Sequence, residues 1–200
     1  MKTSLDALRV FAEMSGLPFG RLHHIWRDLQ AANEVPKSAG KAYYPPRRKD
    51  FAALIAAIGF SAQEGVTVAD AVNLARTMTL NGQRMSALER PTSGQPAPAL
   101  IALTNTLDAT SLDPTILQIE FDAGAKIMRF IRLAEDQEFS TPKEPHRDRG
   151  WTIGDDRILD QQDRNTFTPI RQAVIIDGEF LLDFATAVEW QDHAIPRNQA

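Results

Sequence analysis

The residues with chemistry to offer lie between Pro18 and Arg27. Arg21, His23, His24 and Arg27 are hydrogen-bond donors, and with Pro18, Phe19 and Gly20 they fall on one short stretch. Presented outward on a helix, such side chains suit the acceptors of base edges and phosphate oxygens. Phe19 has two uses open to it, contact with a thymine methyl or stapling of the turn before the helix. His23-His24 is a poor metal pair, because adjacent helical residues point about 100° apart. The chain has no cysteine, and Asp28 is the acidic residue four positions from His24; the metal reading is therefore set aside.

A second basic group follows in Lys37, Lys41 and the run Arg47-Arg48-Lys49, with Tyr43 between them. The run opens a helix, where the positive end of the dipole disfavours cations. Its tolerance makes sense if a polyanion lies opposite, so these cations are assigned to flanking phosphates. Trp26 and Tyr43-Tyr44 are read as packing rather than stacking on a ligand. The acidic residues Asp155, Asp156, Asp160 and Asp163 lack the spacing of a calcium loop. His146 and His193 are isolated, and neither a nucleophile elbow nor a glycine-rich phosphate loop occurs. The expectation is no catalytic residue, no metal and no cofactor.

Composition is that of an ordinary globular chain, 43% apolar and 24% charged over 200 residues. No apolar run is long enough to span a bilayer, and the first residues lack the apolar core of a secretory signal. With no cysteine, disulfides are excluded; a cytoplasmic location is the expectation. The net charge of −4 is unevenly divided. Residues 1–90 carry 12 Lys and Arg against 8 Asp and Glu, and residues 91–200 carry 10 against 18. A basic first half and an acidic second half fit a first half that meets phosphates.

The elements that must position these residues follow from periodicity. A first helix is expected from about Ser4 to Met14, capped at Thr3-Ser4 with Asp6 in its first turn. Gly16 sits at the corner before a second helix, about Pro18 to Ala32, whose buried stripe is Leu22, Ile25, Trp26 and Leu29. Val35 to Tyr44 is expected to form a small β-wing about Ser38-Ala39-Gly40, with Lys37 and Lys41 near its tip. A third helix over Arg47 to Gly59 carries Phe51, Leu54, Ile55 and Ile58, with Gly59 closing it. A fourth runs from about Thr67 to Met78. Asn81-Gly82 and the linker-like Arg90 to Pro98 then interrupt helical structure. Beyond them come a short helix over Ala99 to Ala109 and a β-hairpin of Thr115 to Asp122 with Ala125 to Leu133. An exposed loop over Glu135 to Gly150, a strand within Phe167 to Asp177 and a last helix over Glu179 to Trp190 complete the expectation.

Phe11-Ala12-Glu13-Met14-Ser15-Gly16-Leu17, Leu22 to Arg27, Val35-Pro36, Gly40 to Tyr44, Asp50-Phe51 and Gly59-Phe60-Ser61 stand in an order that resembles the DNA-binding domain of MerR-type regulators. The resemblance covers about residues 5–80. It departs where the family has arginine followed by two aromatics, since His23, His24 and Ile25 stand there. It departs again after Asn81, where the family's long dimer helix is broken.

The resemblance implies a winged helix-turn-helix over residues 1–80. The full reading is an α+β chain in which a linker at 81–98 leads to a smaller β-hairpin-plus-helix domain over 99–200, serving oligomerisation or partner contact. The function expected is sequence-specific binding of double-stranded DNA by a non-enzymatic homo-oligomer, a transcriptional regulator or repressor, by analogy one of a phage or other mobile element. Two alternatives remain, a packaging or recombination accessory that positions an enzyme on DNA, and a protein-binding adaptor or inhibitor.

Overall fold

The computed structural model describes residues 3–37, 44–61, 65–80, 98–108, 116–123, 126–132, 137–140 and 173–191. Helices α1 (Ser4–Ser15), α2 (Phe19–Ala31), α3 (Arg48–Phe60) and α4 (Val68–Thr77) come first. Strand β1 (Thr79–Leu80), α5 (Ala99–Thr106), β2 (Ile116–Asp122), β3 (Ile127–Arg132), β4 (Gln137–Ser140), β5 (Ala173–Asp177) and α6 (Gly178–Ala187) follow. The chain is mixed α and β, with the strands in one antiparallel sheet of order β1-β4-β3-β2-β5.

Local signals explain the helix ends. The Thr3 hydroxyl accepts from the Asp6 N–H while the Asp6 carboxylate accepts from the Thr3 N–H, a reciprocal box that satisfies two otherwise orphaned donors. Thr67 and Asp70 do the same for α4. Gly16 ends α1 at φ 69°, a left-handed conformation that costs glycine nothing. Asn33, at φ 60°, follows the last turn of α2. The Asp177 carboxylate caps α6 by accepting from the N–H groups of Glu179 and Phe180.

The organising element is α3. Every residue from Asp50 to Phe60 is buried, because α2, α4, α5 and strands β2 and β5 all pack on it. The apolar stripe expected from Phe51, Leu54, Ile55 and Ile58 therefore widens to the alanines between them, whose small side chains let neighbours approach closely. Gly59 does not close this helix, which continues to Phe60. A Cβ there would lie 2.4 Å from ring atoms of Phe121 on β2, so the glycine is a contact point between helix and sheet.

The α3 aromatic Phe51 joins a cluster with Phe11, Trp26, Phe184 and Trp190. Helix α6 thereby packs against α1 as well as α3, and the Gln191 N–H donates to the Pro46 carbonyl at 2.9 Å. One buried cluster runs from Ala7 to Val188. The division at 81–98 is thus not a division of the core, and β1 pairs with β4 across it.

Between 135 and 150 the expected loop is in part a strand, since Gln137–Ser140 pairs with Ile127–Phe130. Polar Gln137 and Glu138 hid it, although their partner β3 supplies a ladder for any extended neighbour. Residues 141–150 lie outside the described residues. So does most of the expected wing, at 38–43; of its flanks, 35–37 and 44 hold no strand.

Candidate nucleic-acid interface

Helix α2 has two unlike sides. Leu22, Ile25, Trp26 and Leu29 are buried, holding it against α1, α3 and α4. Gly20, His24 and Arg27, at spacings of four and three, form a stripe on the exposed side, with Arg21 exposed beside them. Pro18 is the exposed N-cap residue and leaves the first N–H groups of the helix without a side-chain cap. His24 Nε2 lies 3.7 Å from an Asp28 carboxylate oxygen one turn on, and both side chains are well exposed.

Phe19 is half-buried rather than projecting. Its ring stacks on His23 at a centroid distance of 5.6 Å and 7° between planes. The Arg9 guanidinium covers it from α1, 5.6 Å from the ring centre. Of the two uses open to Phe19, the stapling of α1 to α2 is the one its contacts serve. His23 is consequently less available than His24.

Two cations of the second basic group are engaged within the fold. Arg47 holds the almost completely buried Asp50 through two hydrogen bonds of 2.8 and 2.9 Å. Arg48 reaches Asp108, just beyond α5, at 2.6 Å. Both guanidiniums are thereby tied to carboxylates of the fold, which supplies a reason for cations at this helix start without a polyanion. Lys49 is exposed, as is Lys37 at the far end of the α2 connection. Lys41 and Tyr43 lie outside the described residues.

Sequence reasoning passed over both carboxylate partners. Asp50, three residues after Arg47 on a helix, was open to detection by spacing alone; Asp108, distant in sequence, carried no local signal. It also passed over an apolar groove beside the start of α2. Phe11, Met14, Leu17, Ile58, Val174, Ile175, Ile176 and Phe180 give it apolar walls, with Arg21 and Asp177 as its charges, and it encloses about 490 Å³. This groove runs along β5.

Among the described residues no group of three or more His, Cys, Asp or Glu side chains is placed to hold a metal ion. Nor is any described helix long and apolar enough to cross a membrane. No family model, curated protein or solved structure matches the chain.

Proposed function

We propose that the chain is a sequence-specific double-stranded-DNA-binding protein, a transcriptional regulator rather than an enzyme, that reads the major groove with α2. The observation that carries this reading is the two-sidedness of α2. Four apolar side chains fix its inner face, while Gly20, His24 and Arg27 are exposed on the outer face behind a sharp turn at Gly16. A helix so held is rigid, and its exposed donors have the reach and chemistry for base edges and phosphates. The order α1, turn, α2, connection, α3, α4 is also the order of the winged helix-turn-helix that the sequence resembles.

On this reading Arg27 and His24 contact DNA directly, Gly20 lets the backbone approach, and Lys37, Lys41 and Lys49 supply phosphate contacts. Arg47 and Arg48 act indirectly, by fixing α3 against α5 and the start of its own first turn. One such module covers little DNA, so the working form is a dimer on two half-sites about one helical turn apart.

The test is selection of bound duplexes from a random library, followed by affinity measurements on the selected site. The wild-type protein is expected to enrich a two-fold-related motif, and Arg27→Ala to weaken binding to it. A failure to enrich any motif, with unchanged affinity in Arg27→Ala, overturns the reading.

A further inference from the structure

We propose that β5 is a self-association edge, two copies pairing their β5 strands antiparallel about a two-fold axis at Ile175, each filling the groove of the other. The inference supplies the dimer that the DNA-binding reading calls for, but it stands on separate observations.

The first is position in the sheet. β5 pairs with β2 on one side and is last in the strand order. Among the described residues no strand lies along its other side, so alternate backbone N–H and C=O groups face outward there. Such an edge is a template for a further strand unless a charge, a proline or a covering element blunts it. Within β5 only Asp177, its last residue, is charged, and none is proline.

The second is exposure. Ile175, on the opposite face of the strand from the buried Ile176, is 58% exposed, the highest value among the large apolar side chains of the described residues, and Met14, which lines the groove on the helix side, is also exposed. The groove continues the core outward, from buried Phe11 and Ile58 through half-buried Phe180. An added strand on the β5 edge would set its side chains against these walls.

The third observation selects a second copy as the occupant. With Ile175 opposite itself, antiparallel pairing sets Val174 against Ile176 twice and Ala173 against Asp177 twice. Val174, Ile175 and Ile176 then meet only one another, Ala173 lies opposite Asp177, and no two carboxylates face each other. Moving the axis to Ile176 would instead set Ile175 against Asp177, and a shift by one residue would exchange the two faces. The strand is thus self-complementary in this register, as an isologous contact requires. The groove also holds one charge of each sign, Arg21 and Asp177, which two copies can satisfy reciprocally. Arg21 then belongs to this contact, leaving Arg27 and His24 for DNA.

Cysteine is absent from the chain, so a single introduced thiol reports on one position. Directly opposed residues of an antiparallel pair have Cα atoms about 4.5–5.5 Å apart, within disulfide range. Ile175→Cys in the full chain is expected to oxidise to a covalent dimer. Leu182→Cys, exposed on α6, serves as the control and is expected to remain monomeric on a denaturing gel. In sedimentation velocity the wild-type protein is expected at twice 22.2 kDa. Ile175→Lys should weaken association by about 100-fold, through like charges across the axis. Mixing Ile175→Lys with Ile175→Glu should restore the dimer.

Monomeric wild-type protein throughout a dilution series overturns the proposal. So does equal cross-linking by the two cysteine variants, or an undiminished dimer in Ile175→Lys. None of these readouts involves DNA, and Arg27→Ala is expected to leave the mass unchanged, so this proposal and the DNA-binding reading fail separately.

Discussion

Gly59→Ala sets two effects of opposite sign against each other. Alanine in a helix interior is favoured over glycine by about 1 kcal/mol, so helix propensity alone predicts a gain in stability. The new Cβ, however, would lie 2.4 Å from Cγ and Cδ1 of Phe121 and 2.8 Å from Cδ2. These atoms belong to the near side of a fully buried ring, which also packs edge-on against Phe60 at 5.1 Å. The ring has no free end to swing away, and inserting a methyl into such packing costs about 1–3 kcal/mol, occasionally more. The clash is severe enough to place this case at the upper part of that range. A net loss of about 1–2 kcal/mol follows once the helix gain is subtracted. Urea unfolding followed by circular dichroism should show a lower midpoint at unchanged slope. In a Phe121→Leu background the same substitution should cost less, giving a coupling energy of about 1 kcal/mol or more. A Gly59→Ala protein as stable as wild type would refute the α3–β2 contact as described.

Four further outcomes are expected. Asp50→Ala removes the partner of Arg47 from a buried site and should destabilise the chain by about 3 kcal/mol, read by the same unfolding assay. Thr3→Ala should cost about 1 kcal/mol through loss of the α1 cap. The Asp6 carboxyl is held below the ordinary carboxylate range by the Thr3 N–H, then by the Thr3 hydroxyl, with a smaller contribution from Arg9. Because its folded value is depressed, the stability it contributes is complete above the unfolded carboxylate range and is lost as pH falls through the folded value. Asp6→Asn should therefore flatten the acid limb of the stability profile and leave its alkaline side unchanged in slope, and NMR titration of Asp6 in Thr3→Ala should move upward.

Much of the helical part was legible because its signals are local. The Thr3–Asp6 box, the turn at Gly16 and the stripe Leu22, Ile25, Trp26 and Leu29 all lie within one or two turns of what they specify. The hairpin of β2 and β3 was legible for the same reason, through alternation that places Ile119 and Phe121 inward. Long-range pairings were harder to see. Thr79–Leu80 is too short to show a period, and it becomes a strand through its partner β4. The shared core was hidden too, because the Phe51–Phe184 contact joins residues far apart in sequence. At the candidate site, spacing makes the exposure of Gly20, His24 and Arg27 legible, whereas the half-burial of Phe19 and His23 follows from their stacking and from Arg9 on the neighbouring helix. The internal pairing of Arg47 and Arg48 is hidden in the sequence because a run of cations looks like a solvated surface, and the carboxylate that Arg48 reaches, Asp108, is distant in the chain.

The central claim, that the exposed face of α2 meets DNA, is tested most directly by the salt dependence of affinity for a selected duplex. Each phosphate contact releases condensed counterions, so log K should fall steeply and linearly with log salt. Arg27→Ala should both weaken binding and, where the guanidinium meets a phosphate, reduce that slope by about one. Affinity insensitive to salt, or an Arg27→Ala protein with the affinity and slope of wild type, would contradict it.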